Sequence, residues 1–289
     1  MLIQTVVTGI AIGGIYALMA VGYSLIFSIL NFSNFAYGPI IMLCSFFGYF
    51  GLGILKLPFW LVLILSMLVG AFLCCLSEIL AYRPLRKRKA KTLYFMISAM
   101  GISILLENMV YATVGAHFYN YPQILQGTVK LLAADIGVLD LFAIIFSCIA
   151  IGALHFFINH SKPGIAIRAV SYDTVVSQIN GININAIVIL VFCLAGMMAG
   201  IAGMFLGMKY MAYPTMGWIT NKAYISAVIG GMGSLPGAVV GAIILGLVES
   251  LSSVYISSAI RDVFSFSFLI IMLFIKPSGL FGKTLEEKV

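Results

Sequence analysis

Residues 228–241 read VIGGMGSLPGAVVG. The run is apolar enough to lie in a membrane, yet it carries Gly230, Gly231, Gly233, Pro236 and Gly237 in close succession. Together these residues would end most helices, because glycine lacks the restraint of a side chain and proline lacks a backbone donor. The run sits inside a longer Gly-broken segment, 220–250, and its reading decides how the chain is threaded. If that segment enters and leaves on one side, as a hairpin or as two half-helices, the two chain ends fall on opposite faces. If it crosses once, they fall on the same face. Backbone that leaves a helix at membrane depth survives only where protein or a water-filled cavity satisfies it, so the broken form points to a transport pathway. A tight extracellular turn between short helices is the plainer alternative, and it shares much of that geometry.

The rest of the chain agrees with a membrane setting. Of its 289 residues 62% are hydrophobic and only 9% charged, and the mean hydropathy is +1.14. Apolar runs of about 20 residues, enough to cross the hydrocarbon core as helices, lie near 5–29, 35–55, 57–82, 92–114, 136–158 and 184–208, with a last one at 255–275. The expected fold is an all-α polytopic membrane protein of about eight membrane segments, forming a single domain over 1–289. The first run lacks a basic leader and a small-residue cleavage site, so it reads as a mature span. Cys44, Cys74, Cys75, Cys148 and Cys193 all fall in apolar runs without metal-type pairing, and read as packing residues.

The net charge of +7 has a local source. The cluster RPLRKRKAK at 83–91 sits beside a span, which speaks for membrane phosphates and topology rather than nucleic acid, and marks its loop as cytoplasmic. Alternation then places the N-terminus outside and returns the chain to the cytoplasm at Lys162. With the broken form of 220–250, eleven of the sixteen Lys and Arg lie inside, against nine for a single crossing.

Residues 162–185, KPGIAIRAVSYDTVVSQINGININ, form a polar island between two apolar runs. Ile165, Ala169, Tyr172, Val176 and Ile179 recur by four and three, which predicts one amphipathic helix over Ile165–Gly181. Pro163 and Gly164 suit its entry and Gly181 its left-handed end. Such a helix can lie on the membrane or fill a partner's groove. Only Arg168 is basic within it, which favours docking, with Arg168 and Asp173 as the polar contacts.

Four acids fall within spans. Glu78 and Asp140 lie near span ends, where solvation is available; Glu107, followed by Asn108, is deeper and can line a cavity or pair with another helix; Glu249 is placed to cap the broken segment. A proton relay would need an intramembrane His or Lys partner, and none is evident. Small residues at helical spacing, namely Gly9, Gly13 and Ala17, then Gly196, Gly200, Gly203 and Gly207, then Gly237 and Gly241, read as helix-packing seams. The tail PSGLFGKT is no phosphate-binding loop, because Pro277 stands where that motif needs glycine. The Asn31–Ser33 sequon and His117, His155 and His160 carry no site pattern. No nucleophile, acid–base pair, metal constellation or cofactor motif emerges, so the chain does not read as an enzyme.

Four stretches together resemble the high-affinity branched-chain amino acid permeases of bacterial ABC importers. They are GIAIGGIYALMAVGYSLIFSILNFSNFAYG at 9–38, EILAYRPLR at 78–86, IAIRAVSYDTVVSQINGIN at 165–183 and AVIGGMGSLPGAVVGAIILGLVESLSS at 227–253. They cover nearly the whole chain in the family's order. The resemblance implies a permease subunit in the bacterial cytoplasmic membrane. Its partners would be a second permease, a distinct homologous chain, two cytoplasmic ABC ATPases and an external solute-binding protein. It makes 162–183 the coupling loop, seated in an ATPase groove through Ile165, Arg168, Ala169, Tyr172, Asp173, Val176 and Gly181. Tyr16, Asn34, Tyr37, Glu107, Gly230, Gly231, Gly233 and Ser234 are the candidate pathway residues. Tyr37 and Pro39 depart from the family's His and Glu, Glu107 replaces Gln, and Val175 and Val176 replace a small Ala pair. The first two departures leave a sugar, nucleoside, amide or urea permease of the same superfamily as alternative readings. An ion-coupled carrier working alone is the rival from another class.

Overall fold

The computed structural model describes residues 2–122, 127–131 and 134–282. A 29-residue helix α1 (Leu2–Leu30) is followed by α2 (Tyr37–Tyr49), which a wider π-helical turn, Phe50–Ile54, prolongs. Helix α3 (Phe59–Ser77) runs through a second such turn, Glu78–Tyr82, into the short α4 (Arg83–Lys87), and α5 (Thr92–Thr113) follows. Strands β1 (Thr128–Leu131) and β2 (Ala134–Gly137) pair antiparallel with Thr128 opposite Gly137. Then come α6 (Val138–His160), α7 (Lys162–Tyr172), α8 (Thr174–Ile179), α9 (Ile184–Tyr210), α10 (Asn221–Gly230), α11 (Leu235–Tyr255) and α12 (Arg261–Ile275).

The all-α polytopic class is thus what the chain adopts. Among the described residues seven helical stretches are long and apolar enough to cross a membrane, α3 and α4 counting together from Phe59 to Lys87. The last segment is shorter than expected, since α12 holds 15 residues and rises about 22 Å. The 220–250 segment is an unequal hairpin. Its first arm, α10, has 10 residues, a rise of about 15 Å or half a hydrocarbon core, and its second arm, α11, has 21. The arms are antiparallel, since Gly230 lies against Gly237 and Gly241 against Ser226. A single straight crossing is therefore ruled out for this segment.

The chain divides into two compact units. One comprises Leu25–Gln123 and Ile149–Thr220. Its heart is the meeting of α2, α3 and α9, where backbones approach so closely that side chains are excluded. A Cβ on Gly196 would overlap the Gly70 carbonyl oxygen, and one on Gly200 would overlap that of Ser66. Within lipid there is no water-driven burial between helices, so this close van der Waals fit supplies the cohesion. Ser66 adds a hydrogen bond, its Oγ donating to the Gly200 carbonyl at 3.0 Å. Beside this seam Phe32, Tyr82, Phe95 and Phe192 form a ring cluster with centroids 5.1–6.4 Å apart.

The other unit comprises Met1–Ser24, Ile124–Cys148 and Asn221–Val289. Here α1 runs antiparallel to α11, with Ser250 Oγ donating to the Thr5 carbonyl at 2.7 Å and the Gly233 N–H donating to Ser24 Oγ at 3.1 Å. A Cβ on Gly13 would stand 2.9 Å from the Ile243 Cα. The glycine seams expected in α1, α9 and after the break are all packing surfaces.

Candidate functional site

The polar island forms two helices where one was expected. Ser161 caps α7, its Oγ accepting from the Gly164 N–H at 3.0 Å, and Pro163 occupies the first turn, where its missing donor costs nothing. Gly164 lies so close to the Ile158 carbonyl that a Cβ would overlap it. Ile167 and Val170 are buried and hold α7 down, and Ser171 Oγ donates to the Ser28 carbonyl at 2.8 Å. The helix then stops at Asp173, whose backbone is extended. Its Oδ1 accepts from the Val175 and Val176 N–H groups at 2.8 and 3.0 Å and so starts α8. An aspartate's preference for bonding nearby backbone donors competes with helix continuation, which is why the three-and-four spacing of apolar residues did not yield one helix. Gly181 is left-handed at φ +81°, as expected of the terminator.

One consequence of this fastening is an unusual surface. Ile165, Tyr172, Val175, Val176 and Ile179 are all more than half exposed, Tyr172 at 88% and Ile179 at 80%. Ala169 is half-buried, and Arg168 is exposed, its Nη1 donating to Asn159 Oδ1 at 3.2 Å.

In the unit that holds α10 and α11 the candidate pathway residues of the break are held in place by backbone. Gly231 and Gly233 adopt φ of +103° and +84°, which reverse the chain, and Ser234 Oγ accepts from the Gly237 N–H at 3.3 Å to start α11. A Cβ on Gly230 would overlap the Gly237 carbonyl. The C-terminal stretch completes the turn: the Leu280 and Phe281 N–H groups donate to the Ile229 and Gly230 carbonyls, each at 2.9 Å. These bonds satisfy acceptors at the end of α10, which a helix otherwise leaves open. The sequence excludes a phosphate loop here but carries no signal of this structural use.

The same unit holds a buried ionic cluster. Glu249 is fully buried, and Lys222 Nζ lies 2.6 Å from its Oε1 and 3.0 Å from Asp262 Oδ1. Tyr16 donates to Glu249 Oε2 at 2.9 Å, Ser265 donates to Oε1 at 2.8 Å, and Arg261 Nε stands 3.9 Å from Oε2. Lys222 Nζ also lies 5.7 Å from the Tyr16 ring centroid. Two cations and two carboxylates thus balance. Glu249 does not cap the break, and the intramembrane lysine that the sequence did not reveal is Lys222. Hairpin arithmetic could have found it: pairs 230–237 and 226–241 put 222 opposite 245, one turn from 249, and helical side chains lean toward their own N-terminus.

In the unit built on α2, α3 and α9, Asn34 and Tyr37 are buried. Asn34 Oδ1 accepts from Tyr82 Oη at 2.7 Å and from the Ala36 N–H at 3.1 Å, while Tyr37 Oη donates to the Ala195 carbonyl at 2.9 Å. Glu107 is half-buried on α5. Glu78 corrects its expected solvation: it is fully buried, and its Oε1 accepts from Arg86 Nη2 at 2.7 Å, an arginine that also donates to Asn185 Oδ1 at 2.9 Å.

The family model described as "Branched-chain amino acid transport system / permease component" matches residues 5–275. The chain belongs to this permease family. It is 35% identical to the high-affinity branched-chain amino acid transport system permease protein LivH of Salmonella typhimurium, covering 99% of this chain and 97% of the relative. It is 31% identical to the corresponding protein BraD of Pseudomonas aeruginosa, over 99% and 98% of the two chains. Among solved structures, PsaBC from Streptococcus pneumoniae in complex with Fab aligns with a TM-score of 0.53 over 96% of this chain and 92% of that one, at 14% identity, a likeness of fold alone. Membership makes the chain a multi-pass transport permease, and the seven apolar stretches are its membrane body.

Proposed function

We propose that this permease is the transmembrane subunit of an ABC importer that moves branched-chain or other small hydrophobic amino acids inward. In this reading two cytoplasmic ATPases drive alternating access, and a second permease and an external solute-binding protein complete the assembly. The observation that carries it is the α7–α8 surface. A short double helix fastened on one side by Ile167, Val170 and Ser171, and presenting Tyr172, Val175, Val176 and Ile179 on the other, suits a partner's groove better than water. Motion of the partner would reach the membrane body through those buried anchors. Binding energy that differs between two states is enough to shift access, and no covalent chemistry in this chain is required.

The positive-inside rule supports an N-terminus outside and a C-terminus in the cytoplasm, with α7 and α8 on the cytoplasmic side. Alternation through six spans, a returning hairpin and a last crossing by α12 gives the same result. Tyr16, Asn34, Tyr37, Glu107 and the Gly230–Ser234 turn remain the proposed pathway lining. The bonds that Tyr16, Asn34 and Tyr37 make within the protein imply that solute access at these residues requires a different arrangement of their side chains.

The test is uptake by the assembled importer in vesicles, with and without ATP. Leucine accumulation is expected to require ATP and to fall at least tenfold in the Arg168→Glu/Ala169→Asp double variant, with ATPase recruitment lost and membrane insertion intact. Accumulation by this chain alone, driven by a proton or sodium gradient, would overturn the reading.

A further inference from the structure

We infer that the loop joining α3 to α5 is a binding site for anionic phospholipid, whose headgroup phosphate it holds through Lys87, Arg88, Lys89 and Lys91. Six cations occur within residues 83–91, and no acid occurs from 79 to 106. The nearest carboxylate, Glu78, is buried and already engaged by Arg86. Lys87, Arg88, Lys89 and Lys91 are exposed, and among the described residues none of them has an ion-pair partner. Their field is therefore uncompensated from within this loop.

The surfaces on either side say what kind of anion fits. Along α3 and the turn after it, Leu68, Phe72, Leu76 and Leu80 recur every fourth residue and are exposed, Phe72 at 64% and Leu80 at 67%. Across the loop, Leu93, Tyr94 and Ile97 begin α5 equally uncovered. The stack of Tyr82 on Phe95, centroids 6.4 Å apart, holds the two helices together at this end. An apolar stripe that ends in a cluster of cations matches an acyl chain continuing into a phosphate. Clusters of this size beside a span attract anionic lipid, each cation at the surface strengthening the attraction about fivefold. A soluble protein partner would match the charge but not the stripe.

The backbone at Lys89 allows the charge to be removed without disturbing the fold. Lys89 ends α4 in the left-handed region, at φ +49°, with its N–H donating to the Arg86 carbonyl at 3.0 Å. Glycine is the residue that takes this helix-ending position without a steric penalty. Lys89→Gly therefore removes the ammonium without straining the turn.

The experiment uses the full-length chain in detergent, equilibrated with an equimolar mixture of phosphatidylglycerol and phosphatidylcholine, with bound lipid counted by native mass spectrometry. Wild type is expected to retain phosphatidylglycerol over phosphatidylcholine by about tenfold or more at low salt. Lys87→Gln/Lys89→Gln should lower that preference at least fivefold, while Lys162→Gln/Lys276→Gln, two exposed cations elsewhere, should leave it unchanged. Lys89→Gly should unfold at the same or a higher temperature yet bind less phosphatidylglycerol, which separates lipid binding from folding. Inorganic phosphate should displace no more lipid than chloride of equal ionic strength. No preference in wild type, equal loss in the control pair, or an unchanged preference in the two loop variants would each overturn the site. So would loss of ATPase co-purification in Lys87→Gln/Lys89→Gln with the lipid preference intact, which would assign the loop to a protein interface.

Discussion

Lys222 and Glu249 show how much a single buried charge depends on its neighbour. Moving either ion out of water costs several kcal/mol, and only close pairing offsets it. Lys222→Met would leave Glu249 with Tyr16, Ser265 and an Arg261 Nε at 3.9 Å, and is expected to destabilise the protein by about 3–5 kcal/mol. Adding Glu249→Leu should recover part of that loss, because no buried carboxylate is then left unpaired, while Tyr16 Oη and Ser265 Oγ lose their bonds to it. Asp262 is 64% exposed, so Asp262→Asn should cost about 1 kcal/mol or less. Thermal unfolding of the detergent-solubilised chain checks the three together, and a Lys222→Met variant as stable as wild type would refute the pairing. At the same scale, Gly200→Ala must push a methyl group into the Ser66 carbonyl and is expected to cost about 1–3 kcal/mol, as overpacking does.

Elements are fixed here by their ends. Asp173 both terminates α7 and starts α8, so Asp173→Ala should remove about 1 kcal/mol of cap energy locally, leaving the unfolding temperature nearly unchanged. Its signature is faster amide exchange over 174–179 together with reduced ATPase recruitment; Asp173→Asn should keep both near wild type. Tyr172→Ala and Ile179→Asp alter exposed side chains, so both should fold normally and bind ATPase more weakly. At the hairpin, the C-terminal stretch acts as the cap of α10. Leu280→Pro removes the donor to the Ile229 carbonyl and is expected to cost about 1–3 kcal/mol for a buried acceptor left unpaired. Protease sensitivity near 231–234 would report it.

For the whole molecule, the membrane class, the span order and the break within 220–250 are legible in the residues, while the hairpin form of that break is decided by the structure. A chain with 9% charge has few other ways to satisfy its backbone than long helices in lipid, and glycines and a proline in one short run leave a helix little choice but to end. The glycine seams were readable for the same reason: in hydrocarbon, small faces are where backbones meet. The polar island at 162–185 is legible as helical but not as two helices, because side-chain periodicity does not reveal which aspartate turns inward to bond its own backbone. Tertiary structure alone decided the partners of groups far apart in sequence, Glu249 with Tyr16 and Lys222, Glu78 with Arg86 and Asn185, and the C-terminal stretch with the end of α10. Local preference carries the identity of an element and the place where it stops. Which buried charge or open carbonyl meets which donor depends on how elements distant in the chain pack, and that is a property of the folded whole.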